Sequence, residues 1–484
     1  MHRKCPRRGP GWGMWTAAAA GLCLSAAGAI AGTADEPRDQ PSTESPAWSQ
    51  EEAPLLSRHV QLTQRSMFIK AGEAYFDHQS PPRWVVFQAV PVPPKDQEPQ
   101  PFYAMYVAKL KYDAGHISGI EEPVEISPPG SANTCGWIHP TEPFRVLFGS
   151  TLKAPSAPAK SGYQRGTSRY VWQFPEEMEV VERCVSAMLA DLPKGHPLEG
   201  EVSKLNAVGE KHRARINELL KEGDAKKIGQ ASDEFRRELD AQCPTLRARK
   251  NWDEARPLFE LPRYDAECSY SKDGRFVLYA HVKDTDSPKP DADIFVFDTQ
   301  TGKHHAIVEA PGYDGGPFFS PDNKSICYRS DRAGNDLLQL YVAELKFEDG
   351  VPVGIAREKA LTANDEVNWG PFWHPSGRFL VYANSGKDHS NYDIWAIEVD
   401  WDKPVESLWK RRITTAPGAD VLPAFSDDGR WMMWTSQRGP KIEGETKGSS
   451  QVWVAEAADL SAWLTPAPTS GQSGSGEAPS QGSR

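Results

Sequence analysis

The chain has 484 residues, a formal net charge of −11, 39% hydrophobic residues and 16 Trp. That is enough apolar material for a large core, and the 39 Gly and 41 Pro suit a fold that turns every ten residues or so rather than a helical one. The acidic balance excludes nucleic acid and anionic lipid as general partners, since both bind through basic patches, and suits solubility, cationic partners or metal ions.

Residues 1–31 read as a Sec-type signal peptide. Arg3, Lys4, Arg7 and Arg8 precede an apolar run from Met14 to Ile30, and Ala29-Ile30-Ala31 fits small-x-small cleavage, with Gly32-Thr33-Ala34 as an alternative. The run is too short and too rich in Ala and Gly for a membrane span, and Leu22 before Cys23 does not suit lipidation. Removing those four basic residues from −11 leaves −15. The mature chain is expected to be a soluble monomer, periplasmic or secreted, with no membrane span. Residues 32–58 read as a flexible linker. Residues 466–484 read as a disordered tail of Pro, Ser and Gly, because they bury nothing against the entropy of ordering.

Between them, residues 59–465 carry an internal repeat. Four copies are plain: Tyr264-DAECSYSKDGRFVLYA, Tyr313-DGGPFFSPDNKSICYRS, Val367-NWGPFWHPSGRFLVYA and Ala419-DVLPAFSDDGRWMMWT. Two weaker copies precede them, Lys70-AGEAYFDHQSPPRWVVFQAV and Ser131-ANTCGWIHPTEPFRVLFGS. In each, a short strand ends on a large apolar anchor: Phe76, Ile138, Tyr270, Phe319, Trp373 or Phe425. A tight turn follows, often Asp-Gly or Ser-Gly, which tolerates the positive φ of a hairpin. A second, a third and a short fourth strand complete the unit. Four antiparallel strands at this period predict an all-β, six-bladed propeller.

The anchors are spaced by 62, 132, 49, 54 and 52 residues. The long second gap contains residues 186–255, where the apolar period becomes helical: Val202, Leu205 and Val208, then Ile216 and Leu219, and after Gly223-Asp224 a second run of Ile228, Ala231, Phe235 and Leu239. This predicts a helical hairpin inserted in blade two between its third and fourth strands. After signal removal five Cys remain: Cys135, Cys184, Cys243, Cys268 and Cys327. Cys184 and Cys243 flank the insertion and form the candidate disulfide, and the odd count leaves at least one thiol free. The sixth copy lacks a fourth strand. Residues 59–64 resemble one, so the two chain ends are expected to close the ring in blade six and remove its open edges.

Phe319-SPDNK, Tyr328-RSDRAGND and Trp373-HPSGRFLVYANS resemble the propeller repeat of the TolB family. The resemblance covers residues 60–465 apart from the insertion. It implies a periplasmic protein that docks other envelope proteins. A folded domain precedes the TolB propeller, whereas here only residues 35–56 precede the ring, so any role of that domain is expected to be absent.

Aligning the copies exposes candidate site residues. Five positions before the anchors stand Ala71, Asn133, Asp265, Asp314, Asn368 and Asp420, and two positions on come Glu73 and Glu267. Placed at a channel mouth, these would suit a basic segment or a divalent cation such as calcium; Asp and Asn also cap turns locally. His139 and His374 replace Ser in opposite blades and are weak metal candidates, and each also fits a hydrogen bond within its own turn. His389 sits in a hairpin loop. Arg329–Arg332 reads as a polar turn. There is no G-x-S-x-G elbow, phosphate loop, dinucleotide fingerprint or HExxH. The expectation is a non-enzymatic protein-binding scaffold of the cell envelope with no certain cofactor. The alternative is a metal-dependent propeller enzyme acting on extracellular polysaccharide.

Overall fold

Each repeat copy forms one antiparallel sheet, and six sheets surround a central channel. The computed structural model describes residues 46–156, 175–249, 251–283, 291–335, 337–387, 391–444 and 447–465. The signal segment, residues 32–45 of the linker, the tail and His389 lie outside the described residues.

Blade three shows the plan: Tyr264–Tyr270 innermost, then Phe276–Val282, Ala292–Asp298 and Lys303–Val308. Blade four repeats it with Asp314–Phe319, Ser325–Ser330, Gln339–Glu348 and Val351–Ala360, and blade five with Asn368–Trp373, Phe379–Asn384, Asp393–Glu398 and Lys410–Arg412. Blade one starts at Phe68–Phe76, and its outer position is shared by His116–Ile120 and Val124–Glu125, both paired with Ala104–Asp113. Second strands are buried almost throughout because both faces of a blade pack on neighbours, so they are near-continuous apolar runs rather than alternating ones. Phe276, Leu278 and Val296 of blade three, for example, pack with Phe319, Ile326 and Tyr328 of blade four.

The hairpin turns are held by their own side chains. Ser271 Oγ accepts from Phe276 N at 2.9 Å and Asp273 Oδ1 from Arg275 N at 3.1 Å, while Gly274 takes φ 74°. Ser320 and Ser426 repeat this in blades four and six.

Blade six contains Asp420–Phe425, Trp431–Ser436 and Gln451–Ala457, and its outer strand is Leu56–Gln61 from the other chain end, with Val60 opposite Val454. The expected closure is present and starts three residues earlier than the sequence reading places it. Ahead of it, in the stretch read as linker, Ala47–Glu52 is helical. Glu52 is 2% exposed and pairs with Arg438 at 2.9 Å and His59 at 2.8 Å; Arg438, whose side chain is fully buried, also holds Asp420 at 2.8 Å. Trp48 covers the Arg438 guanidinium at 4.4 Å. This segment is part of the ring because the Glu52 carboxylate helps neutralise a buried guanidinium.

The insertion lies where the period change places it, between Glu179–Cys184 and Arg256–Pro257 of blade two. Helix Glu199–Glu222 ends at Gly223, whose φ of 70° reverses the chain, and Asp224 caps helix Ala225–Gln242 by accepting from Lys226 N and Lys227 N at 3.1 Å. Met188, Leu198, Val202 and Leu246 join the same core as Phe144 and Phe148 of blade two. The disulfide expected at the base is not formed. Cys184 and Cys243 are free thiols. Each faces its own acceptor, Asn251 Oδ1 at 3.1 Å and the Glu201 carbonyl at 3.4 Å. Packing holds the base instead, together with the Glu201 carboxylate, which accepts from Thr245 N and Leu246 N. No described helix is long and apolar enough to cross a membrane.

Candidate binding chamber on the channel axis

Five positions counted from the anchor, three on the inner strand and two in the turn that follows it, explain the channel. The residues five before the anchor open the strand. Asn133, Asp265, Asp314, Asn368 and Asp420 are all buried, and each is committed locally, four of them within their own blade. Asp265 meets His281 Nδ1 at 2.9 Å, and Asp314 accepts from Arg332 at 2.7 Å. Asp420 accepts from Trp434 Nε1 at 3.1 Å and from Arg438. Asn368 accepts from Asn384 at 2.9 Å, while Asn133 donates to the Tyr103 carbonyl at 2.9 Å. Apart from Asn133, they tie the start of the first strand to the end of the second and form no shared mouth. Burial raises the Asp314 carboxyl to about 6 although Arg332 opposes this.

Two residues further on, every inner strand bulges, visible as a register shift against its neighbour. The residue three before the anchor takes a positive φ in all six blades: Glu73, Cys135, Glu267, Gly316, Gly370 and Leu422. The bulge turns this residue toward the axis. Together they line an inner chamber of about 390 Å3 with Arg329. The Glu267 carboxylate accepts from Tyr313 Oη at 2.7 Å, from Gly316 N, and from Arg329 Nη2 at 3.3 Å. A Cβ at Gly316 would lie 2.1 Å from Arg329 Nη1, so glycine there makes room for the guanidinium. Cys135 Sγ donates to Glu73 Oε1 at 3.0 Å. Burial raises both the Glu73 carboxyl and the Cys135 thiol. Of the two glutamates singled out by spacing, both face this chamber; Arg329, read as part of a polar turn, is its cation.

The residues one before the anchor close the channel. Tyr75, Trp137, Phe318 and Phe372 meet across the axis: Tyr75 lies 5.6 Å from Phe318 of the opposite blade, and Trp137 lies 6.1 Å from Phe372 of its opposite blade. Rings of adjacent blades are as close, Tyr75–Trp137 at 5.1 Å and Phe318–Phe372 at 5.2 Å, and Trp137 lies 5.3 Å from Phe318. These tilted contacts make a contiguous aromatic floor.

Above the floor, on the face of the hairpin turns, an open cup of about 580 Å3 is lined by this floor and by turn residues. The residue two after the anchor supplies its rim, including His78, Lys272, Pro321, Pro375 and Asp427. Lys272 of blade three reaches Asp427 of the opposite blade six at 2.6 Å, and His78 Nδ1 meets the same carboxylate at 3.1 Å. Burial would raise Asp427, but His78 and Lys272 outweigh it and hold the carboxyl far below its usual range.

His139 and His374, one after the anchor, cap their turns as Ser does elsewhere. His139 Nδ1 accepts from Glu142 N at 3.0 Å and His374 Nδ1 from Ser376 N at 3.1 Å. Each ring leans on a turn glycine of the next blade, Gly274 or Gly429. Burial lowers them to about 2 and about 4. They do not meet across the channel, and among the described residues no three His, Cys, Asp or Glu side chains are grouped to hold a metal.

No family model matches the chain. It is 26% identical over 190 residues to the Tol-Pal system protein TolB of Wolinella succinogenes, covering 38% of this chain and 40% of that one. This chain is a TolB-like six-bladed propeller. Over 84 residues the TolB-like ring is also 42% identical to dipeptidyl-peptidase 5 of Porphyromonas gingivalis, covering 16% of this chain and 12% of that one. Among solved structures, TolB from Acinetobacter baumannii aligns over 81% of this chain and 64% of its own, at 12% identity and a TM-score of 0.39. The chain thus spans two fifths or less of the curated relatives it matches.

Proposed function

We propose that this propeller is an exported, non-enzymatic scaffold that docks a protein of the cell envelope through the cup on its turn face. One observation carries the reading. The channel is sealed by four aromatic rings from blades one, two, four and five, so the cup is a dead end with an apolar floor and a charged rim. Such a shape suits an inserted apolar side chain of a partner segment, because burying one on an aromatic floor contributes roughly 1.5–3 kcal/mol. The acidic surface and the signal-like start favour an exported, soluble form.

The test is capture from cell-envelope extract by the mature chain and by a Phe372→Ala variant with an intact thermal transition. Partners are identified by mass spectrometry and confirmed with purified proteins. An envelope protein held by the wild type and lost in the variant supports the reading. No partner, or one indifferent to the variant, overturns it. Fractionation of the full chain to the cytoplasm would overturn the exported part.

A further inference from the structure

The cup is lined by residues whose hydrogen-bonding groups the fold leaves partly unused. His78 and Trp137 both line it, with ring centroids 5.5 Å apart. Each is 8% exposed, His78 by its side chain. His78 Nδ1 carries the proton that Asp427 accepts, since a carboxylate only accepts. Its Nε2 is buried without a partner among the described residues, and so is the Trp137 indole N–H. Lys272 uses one contact on Asp427 and keeps further N–H donors at the rim. Among the described residues, Asp427, already facing Lys272 and His78, is the only carboxylate lining the cup.

We infer that the cup binds a carboxylate carried on an apolar body, the free C-terminus of a polypeptide whose last residue is apolar. This rests on the docking reading above and names the group that is docked. The carboxylate accepts from Lys272 Nζ and, once the indole edge is uncovered, from the Trp137 N–H, two donors whose side chains line the cup. The apolar side chain rests on the Tyr75–Phe318–Phe372 floor. Asp427 keeps Lys272 extended over the mouth until an incoming carboxylate shares it. A cationic guest is less suited, because Asp427 is already shared by two cation-forming groups.

The probes are the tripeptide Ala-Ala-Phe with a free or an amidated C-terminus, and N-acetylphenylalanine with its amide, titrated by calorimetry onto the mature chain. A charge-assisted hydrogen bond is worth about a tenfold preference. The free-acid tripeptide should bind at least about tenfold tighter than its amide. Lys272→Gln should erase that ratio, and Trp137→Phe, which keeps the ring and loses the N–H, should lower it several-fold. Thermal melts confirm that both variants fold. Equal binding of acid and amide, or binding of neither, overturns the inference. N-acetylphenylalanine binding tighter than the tripeptide overturns the polypeptide source. A confirmed envelope partner indifferent to Lys272→Gln leaves the scaffold reading standing and removes this one; acid-selective probe binding with no envelope partner does the reverse.

Discussion

The two capping imidazoles make a prediction that separates a turn cap from a metal ligand. In the unfolded chain each titrates near 6.5; in the ring burial lowers His374 to about 4 and His139 to about 2. A depressed imidazole means the fold favours the neutral form. Its contribution is therefore fully present above pH 6.5 and is lost as pH falls toward the folded value. At pH 4.5 each unfolded imidazole has taken up a proton that the fold refuses, which costs about 2.5 kcal/mol per site, and about 2–5 kcal/mol for the pair after allowance for relaxation. The perturbation is His139→Ser with His374→Ser, the residue that caps the same turn at Ser271, Ser320 and Ser426. At pH 7.5 the variant loses ring packing, His139 on Tyr270 at 4.5 Å and His374 on Phe379 at 4.3 Å, and should be less stable by about 1–2 kcal/mol per site. Its stability should then fall less steeply with acid, so the curves converge toward pH 4.5. Urea unfolding across pH 7.5 to 4.5 measures both slopes. Identical slopes would refute the cap assignment, and a zinc-dependent rise in the wild-type midpoint, absent in the variant, would replace it with a metal site.

Four further outcomes are expected. Arg438→Met leaves Glu52 and Asp420 buried without their cation, and should cost about 3–5 kcal/mol by chemical denaturation. Gly316→Ala places a Cβ 2.1 Å from Arg329 at a φ of 59°, so the melting temperature should drop by several degrees, whereas Gly444→Ala, which also has a positive φ but meets nothing within 4 Å, should cost about 1 kcal/mol. Dithiothreitol should leave the melting temperature unchanged, because Cys184 and Cys243 are thiols; a marked drop would indicate a bridge. Removing residues 203–241 with a short linker should leave a folded ring by circular dichroism, whereas removing 186–255 also strips Met188, Leu189 and Leu246 from the blade-two core and should unfold that blade.

The strands, the hairpins, the insertion and the closure of the ring were legible in the sequence because each is written locally. A turn needs Asp-Gly or Ser-Gly where it stands, and a helix changes the apolar period from Val202 onward. The disulfide was not legible: flanking positions bring Cys184 and Cys243 to one base, but whether thiols meet depends on which acceptor each side chain finds, here Asn251 and Glu201. The ring of Asp265, Asp314 and Asp420 was visible as a pattern and misplaced, because spacing gives the strand position and not the bulge that follows it. Arg329 was hidden for a related reason. It lies on a second strand and reaches the axis only through the space that Gly316 leaves, a relation between two strands. The signal that could have found it is the run Gly315-Gly316-Pro317, where side chains vanish at a position that four of the other blades fill with Glu, Cys or Leu.

That position also bears on how the fold holds a charged channel. Four of its six residues are not glycine, yet all sit at a positive φ. For an L-residue this costs about 1–2 kcal/mol each, so a tier of glycines would relieve it. What glycine could not provide is the stitching between blades. The Glu267 carboxylate of blade three accepts from the bulged Gly316 N–H of blade four, and the Cys135 thiol of blade two donates to the Glu73 carboxylate of blade one. A bulge frees an N–H from the ladder, and a buried unpaired donor would cost about 1–3 kcal/mol. The strain and the stitching are therefore one arrangement: side chains held in the left-handed region join blade three to blade four and blade two to blade one at the axis, where no sheet hydrogen bond links the blades.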